Sequence, residues 1–167
     1  MNSCFANISM KKKALSLSPA AMADALDVLA WRNDAVTQKM SGSTGFINEV
    51  DHFEWFEKTI ENPKKLMLIA SDEHTNVKIG MVRFDLNHEL TSSEISINID
   101  PEYRGEGYGH QFLIRAAEYV SAVCPTCRVI NAVVRVQNMA SIRAFSSVGY
   151  REVARKSGLI HFRLDLK

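Results

Sequence analysis

The sequence predicts a single α/β domain, residues 1–167, in which a mixed sheet carries helices on both faces. Strand-like and helix-like stretches follow one another in the order strand, two helices, three strands, helix, strand, helix, two strands. Residues 66–70 read Leu-Met-Leu-Ile-Ala, apolar throughout, as a strand buried on both faces would. Residues 94–99 read Glu-Ile-Ser-Ile-Asn-Ile, a strict period of two, and the helical period of Phe112, Ala116, Tyr119, Val120 and Val123 follows within a short turn.

A first strand is expected over 12–17. Ser18-Pro19 has the N-cap and first-turn residues of a helix start, so a helix is predicted over 20–31 with Met22, Leu26, Leu29 and Ala30 inward. Residues 37–48 hold Met40-Ser-Gly-Ser-Thr-Gly45 and read as a loop. A second helix over 49–61 carries Val50, Phe53, Trp55, Phe56 and Ile60, and Asn62-Pro63 ends it. Strands are predicted over 66–71, 77–86, 94–99 and 128–136, and a short helix over 138–148. Ser157-Gly158 joins 151–156 to 159–166 as a hairpin.

Composition excludes several classes. The net charge of +1 provides no field for nucleic acid or an anionic membrane, and Lys11-Lys12-Lys13 is too short to change that. No run approaches the ~20 apolar residues of a membrane span. Residues 1–10 lack the charged-then-apolar order of a signal peptide, so cytoplasmic residence is the expectation. The three cysteines make no disulfide framework; Cys124-Pro-Thr-Cys127 follows a helix and has no second ligand pair, so neither a redox pair nor a metal site is expected there.

The most informative stretch is Arg104-Gly105-Glu106-Gly107-Tyr108-Gly109. Three glycines in five positions are costly to order, and they sit between a strand and a helix N-terminus. That arrangement offers backbone N–H groups and a positive helix end to a phosphate. A P-loop would need Gly-Lys-Ser/Thr, which is absent, and a dinucleotide fold would place its glycines early in the chain.

The turn, preceded by Asp100-Pro101 and followed by Asn138-Met-Ala-Ser141-Ile-Arg-Ala-Phe145 up to Gly149-Tyr150, resembles the acyl-CoA signature of the GNAT superfamily of N-acetyltransferases. The resemblance implies the GNAT fold, a mostly antiparallel sheet of about seven strands. It implies acetyl-CoA as co-substrate, held by residues 105–110 (Gly105, Glu106, Gly107, Tyr108, Gly109, His110), with Arg104 shaping the turn. The pantetheine arm would run along Ile97 and Ile99, with a backbone N–H near Asn98 or Ile99 as oxyanion donor. Asn138, Ser141 and Phe145 complete the implied CoA contacts. Phe145 stands where many members have a tyrosine that protonates the leaving thiolate, and a phenyl ring cannot donate a proton. Ser141 and Tyr108 are the remaining hydroxyl candidates.

Upstream, Trp31-Arg32-Asn33-Asp34, Met40 and His52-Phe-Glu-Trp55-Phe56 resemble GNAT enzymes that acetylate a UDP-linked 4-amino-4,6-dideoxy sugar in pseudaminic acid biosynthesis. Trp31, Arg32, Met40, His52 and Trp55 would form the acceptor pocket, a ring to stack and a fork for phosphate. Related patterns occur in enzymes acetylating ribosomal-protein N-termini, so a protein or peptide amine is the alternative acceptor. A CoA-binding module without turnover is a third reading, motivated by Phe145. Glu94, in the polar row Glu94-Ser96-Asn98, is the candidate base for an amine that is mostly protonated at neutral pH. No metal is expected. Relatives suggest that the C-terminal hairpin could build a homodimer.

Overall fold

The computed structural model describes residues 14–41 and 45–167. Its strands are β1 (Leu15–Pro19), β2 (Lys65–Asp72), β3 (Lys78–Leu86), β4 (Ser92–Ile99), β5 (Val129–Arg135), β6 (Arg151–Lys156) and β7 (Leu159–Asp165). They form one seven-stranded sheet in the order β1-β2-β3-β4-β5-β7-β6. Every neighbouring pair is antiparallel except β4 and β5. The helices are α1 (Ala25–Asn33), α2 (Ala35–Met40), α3 (Glu49–Ile60), α4 (Tyr108–Val123) and α5 (Met139–Ser147). The mixed sheet with helices on both faces agrees with the sequence.

The period of two in β4 sorts the chain onto those faces. Ile95 joins a core with Phe112, Leu113, Ala116 and Val120 of α4 and Phe145 of α5, and Ile97 and Ile99 pack against it. On the other face Met67, Ile69 and Met81 bury Val28 and Trp31 of α1 and Phe56 of α3. Cross-strand partners Met81↔Asn98, Arg83↔Ser96 and Asp85↔Glu94 place the polar row of β4 on this second face.

Several expectations are corrected. Pro19 does not open a helix; Ser18 and Pro19 pair with Ile69 and Leu68 as the last residues of β1, an edge strand, where a missing N–H is tolerated. A 3₁₀ turn (Met22–Asp24) intervenes, with Asp24 accepting the Ala21 N–H at 2.8 Å. A turn of 3.0 residues sets a different phase for the helix that follows. Ala25, Val28 and Trp31 are therefore inward, while Met22 and Leu26 are 40% and 58% exposed. In α3 the inward face is His52, Phe56 and Thr59, with Val50 exposed. The predicted loop over 37–48 contains most of α2, which starts on Asp34: its carboxylate accepts the Thr37 N–H at 2.9 Å. Asn33 then holds the chain beyond it, accepting the Ile47 N–H (2.9 Å) and donating to the Ile47 carbonyl (2.8 Å). The lysine run, Cys4 and residues 42–44 of the expected loop lie outside the described residues.

Ser157 and Gly158 both take positive φ, +52° and +75°, in the two-residue turn of the β6–β7 hairpin. Gly80 has a different reason to be glycine. A Cβ there would lie 2.2 Å from the Asn98 carbonyl oxygen and 3.1 Å from Phe112 Cζ, so its absence lets β3 close on the end of β4 and on α4.

Candidate active site

The parallel ladder between β4 and β5 pairs only Ser92↔Val129, Ser93↔Ile130 and Glu94↔Asn131. Beyond Glu94 the two strands run on without pairing, so the β5-facing edge of residues 95–99 has no strand partner among the described residues. Asp100 N–H donates to the Ile79 carbonyl at 2.9 Å, on the β3 side. By strand alternation the Asn98 N–H also faces β3, and the amides of Ile97 and Ile99 face the open cleft. Of the two amides named from the sequence, that of Ile99 faces the cleft and that of Asn98 faces β3.

At the end of β4 the chain enters the glycine turn. Gly105 and Gly107 have φ of +77° and +83°, and a Cβ at either would meet nothing within 4 Å. The backbone there is both left-handed and open in front. Gly107 is the N-cap of the sixteen-residue α4 and offers no side chain to its first-turn amides. The positive helix end thus faces outward beside the cleft, a site for an anion. Gly109 serves packing: a Cβ there would sit 3.4 Å from Ala144 Cβ, at the α4–α5 contact. His110 bridges the same contact at 2.9 Å from Ser147 Oγ. Because Ser147 already donates to the Ala144 carbonyl, the His110 Nδ1–H is the donor. Asn138 caps α5 by accepting the Ser141 N–H at 3.1 Å.

Two sequence-derived contacts move. Phe145 is only 3% exposed, stacked on Phe162 (5.8 Å, 14°) and edge-on to Tyr150 (4.9 Å), so it is core and not a ligand contact. Tyr150 does not replace the missing acid. Its hydroxyl is buried without a hydrogen-bond partner among the described residues, and burial together with neighbouring Cys127 pushes its pKa far up. Cys127 lies just before β5, at the paired end of the strands, away from the cleft. Tyr108 is buried too, edge-on to Tyr103 at 6.1 Å. Cys124 and Cys127 are buried free thiols.

On the second face the acceptor candidates separate into layers. Trp31, 5% exposed, donates its indole N–H to Asp100 Oδ2 at 3.0 Å. It is a core residue that steadies the lead-in to the turn. His52 is fully buried and cannot touch a ligand. Its Nε2 lies 2.7 Å from the Ala25 carbonyl, which only accepts, and its Nδ1 lies 3.2 Å from Arg32 Nη1, which only donates. Both partners select the neutral Nε2–H tautomer. Burial, aided by the Arg32 charge, holds its pKa below the ordinary value.

His52 therefore acts on Arg32, whose guanidinium lies 3.8 Å from the centre of the Trp55 ring. Arg83, on β3 beside Ser96, approaches the same ring at 5.8 Å. Arg83 is paired with Asp85 (2.8 Å), which Lys65 also approaches at 3.5 Å. Arg32 has no carboxylate partner among the described residues. Burial and the Arg83 charge pull its pKa below the usual guanidinium value. Met40 stands half-buried on α2, and Glu94 is exposed at the last paired position of β4, about 13 Å along the strand from Asn98.

Asp34, read from the sequence only as part of its motif, and Thr37, Arg83 and Arg135, which have no role assigned from the sequence, contact the candidate residues here, Arg135 through Ser41 next to Met40. Asp34-x-x-Thr37 is a helix-start pattern that could have revealed α2; the two arginines carry no local signal. No group of metal-ligating side chains occurs, and no helix is long and apolar enough to cross a membrane, among the described residues.

A helix N-terminus on a glycine turn, beside parallel strands that part, is an arrangement suited to a phosphate-bearing ligand. The chain belongs to the acetyltransferase (GNAT) domain family, whose model matches residues 14–151, and is an N-acetyltransferase. Solved structures share the fold. The spermidine N-acetyltransferase from Vibrio cholerae in complex with CoA and spermine superposes with a TM-score of 0.81 at 18% identity, covering 90% of this chain and 95% of that one. A domain from Methanocaldococcus jannaschii gives 0.79 at 16% identity, covering 93% and 100%. A dodecameric form of the Vibrio cholerae enzyme gives 0.75 at 20% identity, covering 90% and 93%. No curated protein matches the sequence.

Proposed function

We propose that the domain transfers the acetyl group of acetyl-CoA to the primary amine of a small anionic acceptor, an aminosugar nucleotide. The observation that carries the acceptor class is Arg32, a half-buried cation stacked on Trp55 with no carboxylate partner among the described residues. A buried charge left unpaired is costly, and a phosphate entering beside Trp55 would offset that cost with two guanidiniums at hand. Arg32, with Arg83 and Lys65 sharing the single carboxylate of Asp85, leaves this wall cationic, which disfavours a polycation such as the spermine bound in the Vibrio cholerae structure.

In this reading the pyrophosphate rests on the amides after Gly105 and the N-terminus of α4. The pantetheine pairs with the cleft-facing edge of Ile97 and Ile99, and the Ile99 N–H receives the developing oxyanion. The nitrogen lone pair attacks the thioester carbon, the C–S bond breaks, and CoA leaves as thiolate or thiol. A free thiol of pKa about 8.5 makes a tolerable leaving group without a dedicated acid.

Thiol release from acetyl-CoA, followed with a UDP-linked 4-amino-4,6-dideoxy sugar, spermidine and an unmodified peptide amine, tests the acceptor. The nucleotide sugar is expected to turn over at least tenfold more efficiently than the others. Arg32→Gln should raise its KM at least tenfold and leave the acetyl-CoA KM unchanged. Preference for spermidine or peptide rejects the acceptor class. Glu94, on the acceptor face but about 13 Å along β4 from Asn98, is proposed as the base acting through a chain of waters. Glu94→Gln should lower kcat/KM and abolish the acidic limb of its pH profile, whereas a profile superimposable on wild type removes Glu94 from the mechanism.

A further inference from the structure

We infer that Arg104, although it opens the phosphate turn, is a positioning residue that fastens α2 across the mouth of the cleft. Each nitrogen of its side chain is already engaged. Nε donates to the Ile99 carbonyl at 3.1 Å, Nη1 to Asp34 Oδ2 at 2.6 Å and Nη2 to Thr37 Oγ1 at 2.8 Å. None of these directs the guanidinium to the amides after Gly105. Asp34 is the N-cap of α2, so the ion pair holds that helix by its first residue.

The contact is relayed onward. Thr37 Oγ1 accepts from Arg104 and donates to Asn98 Oδ1 at 3.2 Å, fixing the side chain of Asn98 on the acceptor face. The far end of α2 is tied as well: Arg135 Nε, at the end of β5, donates to the Ser41 carbonyl at 3.0 Å. One end of α2 thus rests on β4 and the other on β5, where the two strands no longer pair. The helix roofs the gap, and Arg104 joins the donor turn to the acceptor wall. A guanidinium fork suits this task because its donors are held in one plane at fixed angles.

Hydrogen exchange of residues 35–41 in the free enzyme tests the clamp. Arg104→Gln and Thr37→Val should each accelerate it at least tenfold, and Thr37→Ser, which keeps the hydroxyl, should exchange like wild type. CoA affinity by titration calorimetry should stay within threefold in all three. A kinetic arm, which rests on the acceptor reading above, uses the UDP-linked amino sugar: kcat should fall at least tenfold in Arg104→Gln and Thr37→Val with acetyl-CoA KM unchanged, and recover in Thr37→Ser. Wild-type exchange in both clamp variants overturns the inference. So does a tenfold loss of CoA affinity in Arg104→Gln alone, which would make Arg104 a phosphate ligand. If wild type ignores the amino sugar, the acceptor reading fails while the exchange arm still decides the clamp, and Thr37→Val decides it if Arg104→Gln does not fold.

Discussion

Gly107→Trp is expected to abolish CoA binding while the protein stays folded. The two effects separate because of where the side chain would go. A Cβ at Gly107 meets no atom of the described residues within 4 Å, so the first atom of a side chain there has room in front of the turn. It projects into the space ahead of the α4 N-terminus, where a pyrophosphate must lie to reach the first-turn amides. The remaining cost is conformational, since φ is +83° and a residue with a Cβ is strained there by about 1–3 kcal/mol. For a domain of this size that is a fall in Tm of roughly 2–12 °C. The CoA Kd, by titration calorimetry, should rise at least a hundredfold, about 2.7 kcal/mol. Gly107→Asn, whose short side chain accepts the left-handed region, carries less strain and little bulk and should retain measurable affinity. Wild-type affinity in the tryptophan variant would show that the phosphate lies elsewhere.

Local chemistry decided what could be read in advance. Glycines on a turn, a period of two in β4 and the Ser157-Gly158 hairpin are short-range signals, and the strands and phosphate turn follow from them. Legibility failed where one stretch satisfies two rules. Ser18-Pro19 fits a helix start and an edge-strand end equally, and only pairing with Ile69 and Leu68 chooses. Trp31, His52 and Trp55 are all polar-tipped rings, yet burial sends them to different tasks: one braces Asp100, one braces Arg32, and one carries the stacked cation. Arg104 is the same case for charge. Its motif suggests a residue that shapes the phosphate turn, and its guanidinium in fact reaches Asp34, seventy residues earlier in the chain. Arg83 and Arg135 enter through strand register, which no local pattern specifies.

His52 should produce the second large effect, on stability and on its pH dependence. His52→Ala leaves the Ala25 carbonyl and an Arg32 N–H without their partner and opens a cavity in a fully buried site. The expected loss is about 3 kcal/mol, a fall in Tm of roughly 6–12 °C. With Arg32 released from its brace, the acceptor KM should rise as well. The pH dependence has a definite sign. Burial and the Arg32 charge depress the folded pKa below 6.5, so between those two values the unfolded chain binds a proton that the folded chain refuses. Stability from this group is therefore complete above about pH 6.5 and declines on acidification, by at most about 1.4 kcal/mol per pH unit. His52→Gln separates the hydrogen bonds from the titration. Its amide can donate to Ala25 and accept from Arg32, but it cannot be protonated in this range. Thermal melts between pH 7 and pH 5 should show a shallower decline for His52→Gln than for wild type, with comparable stability at pH 7. Parallel declines would mean that His52 does not titrate differently on folding, and that the neutral tautomer assigned from its two partners is not what holds Arg32 against Trp55.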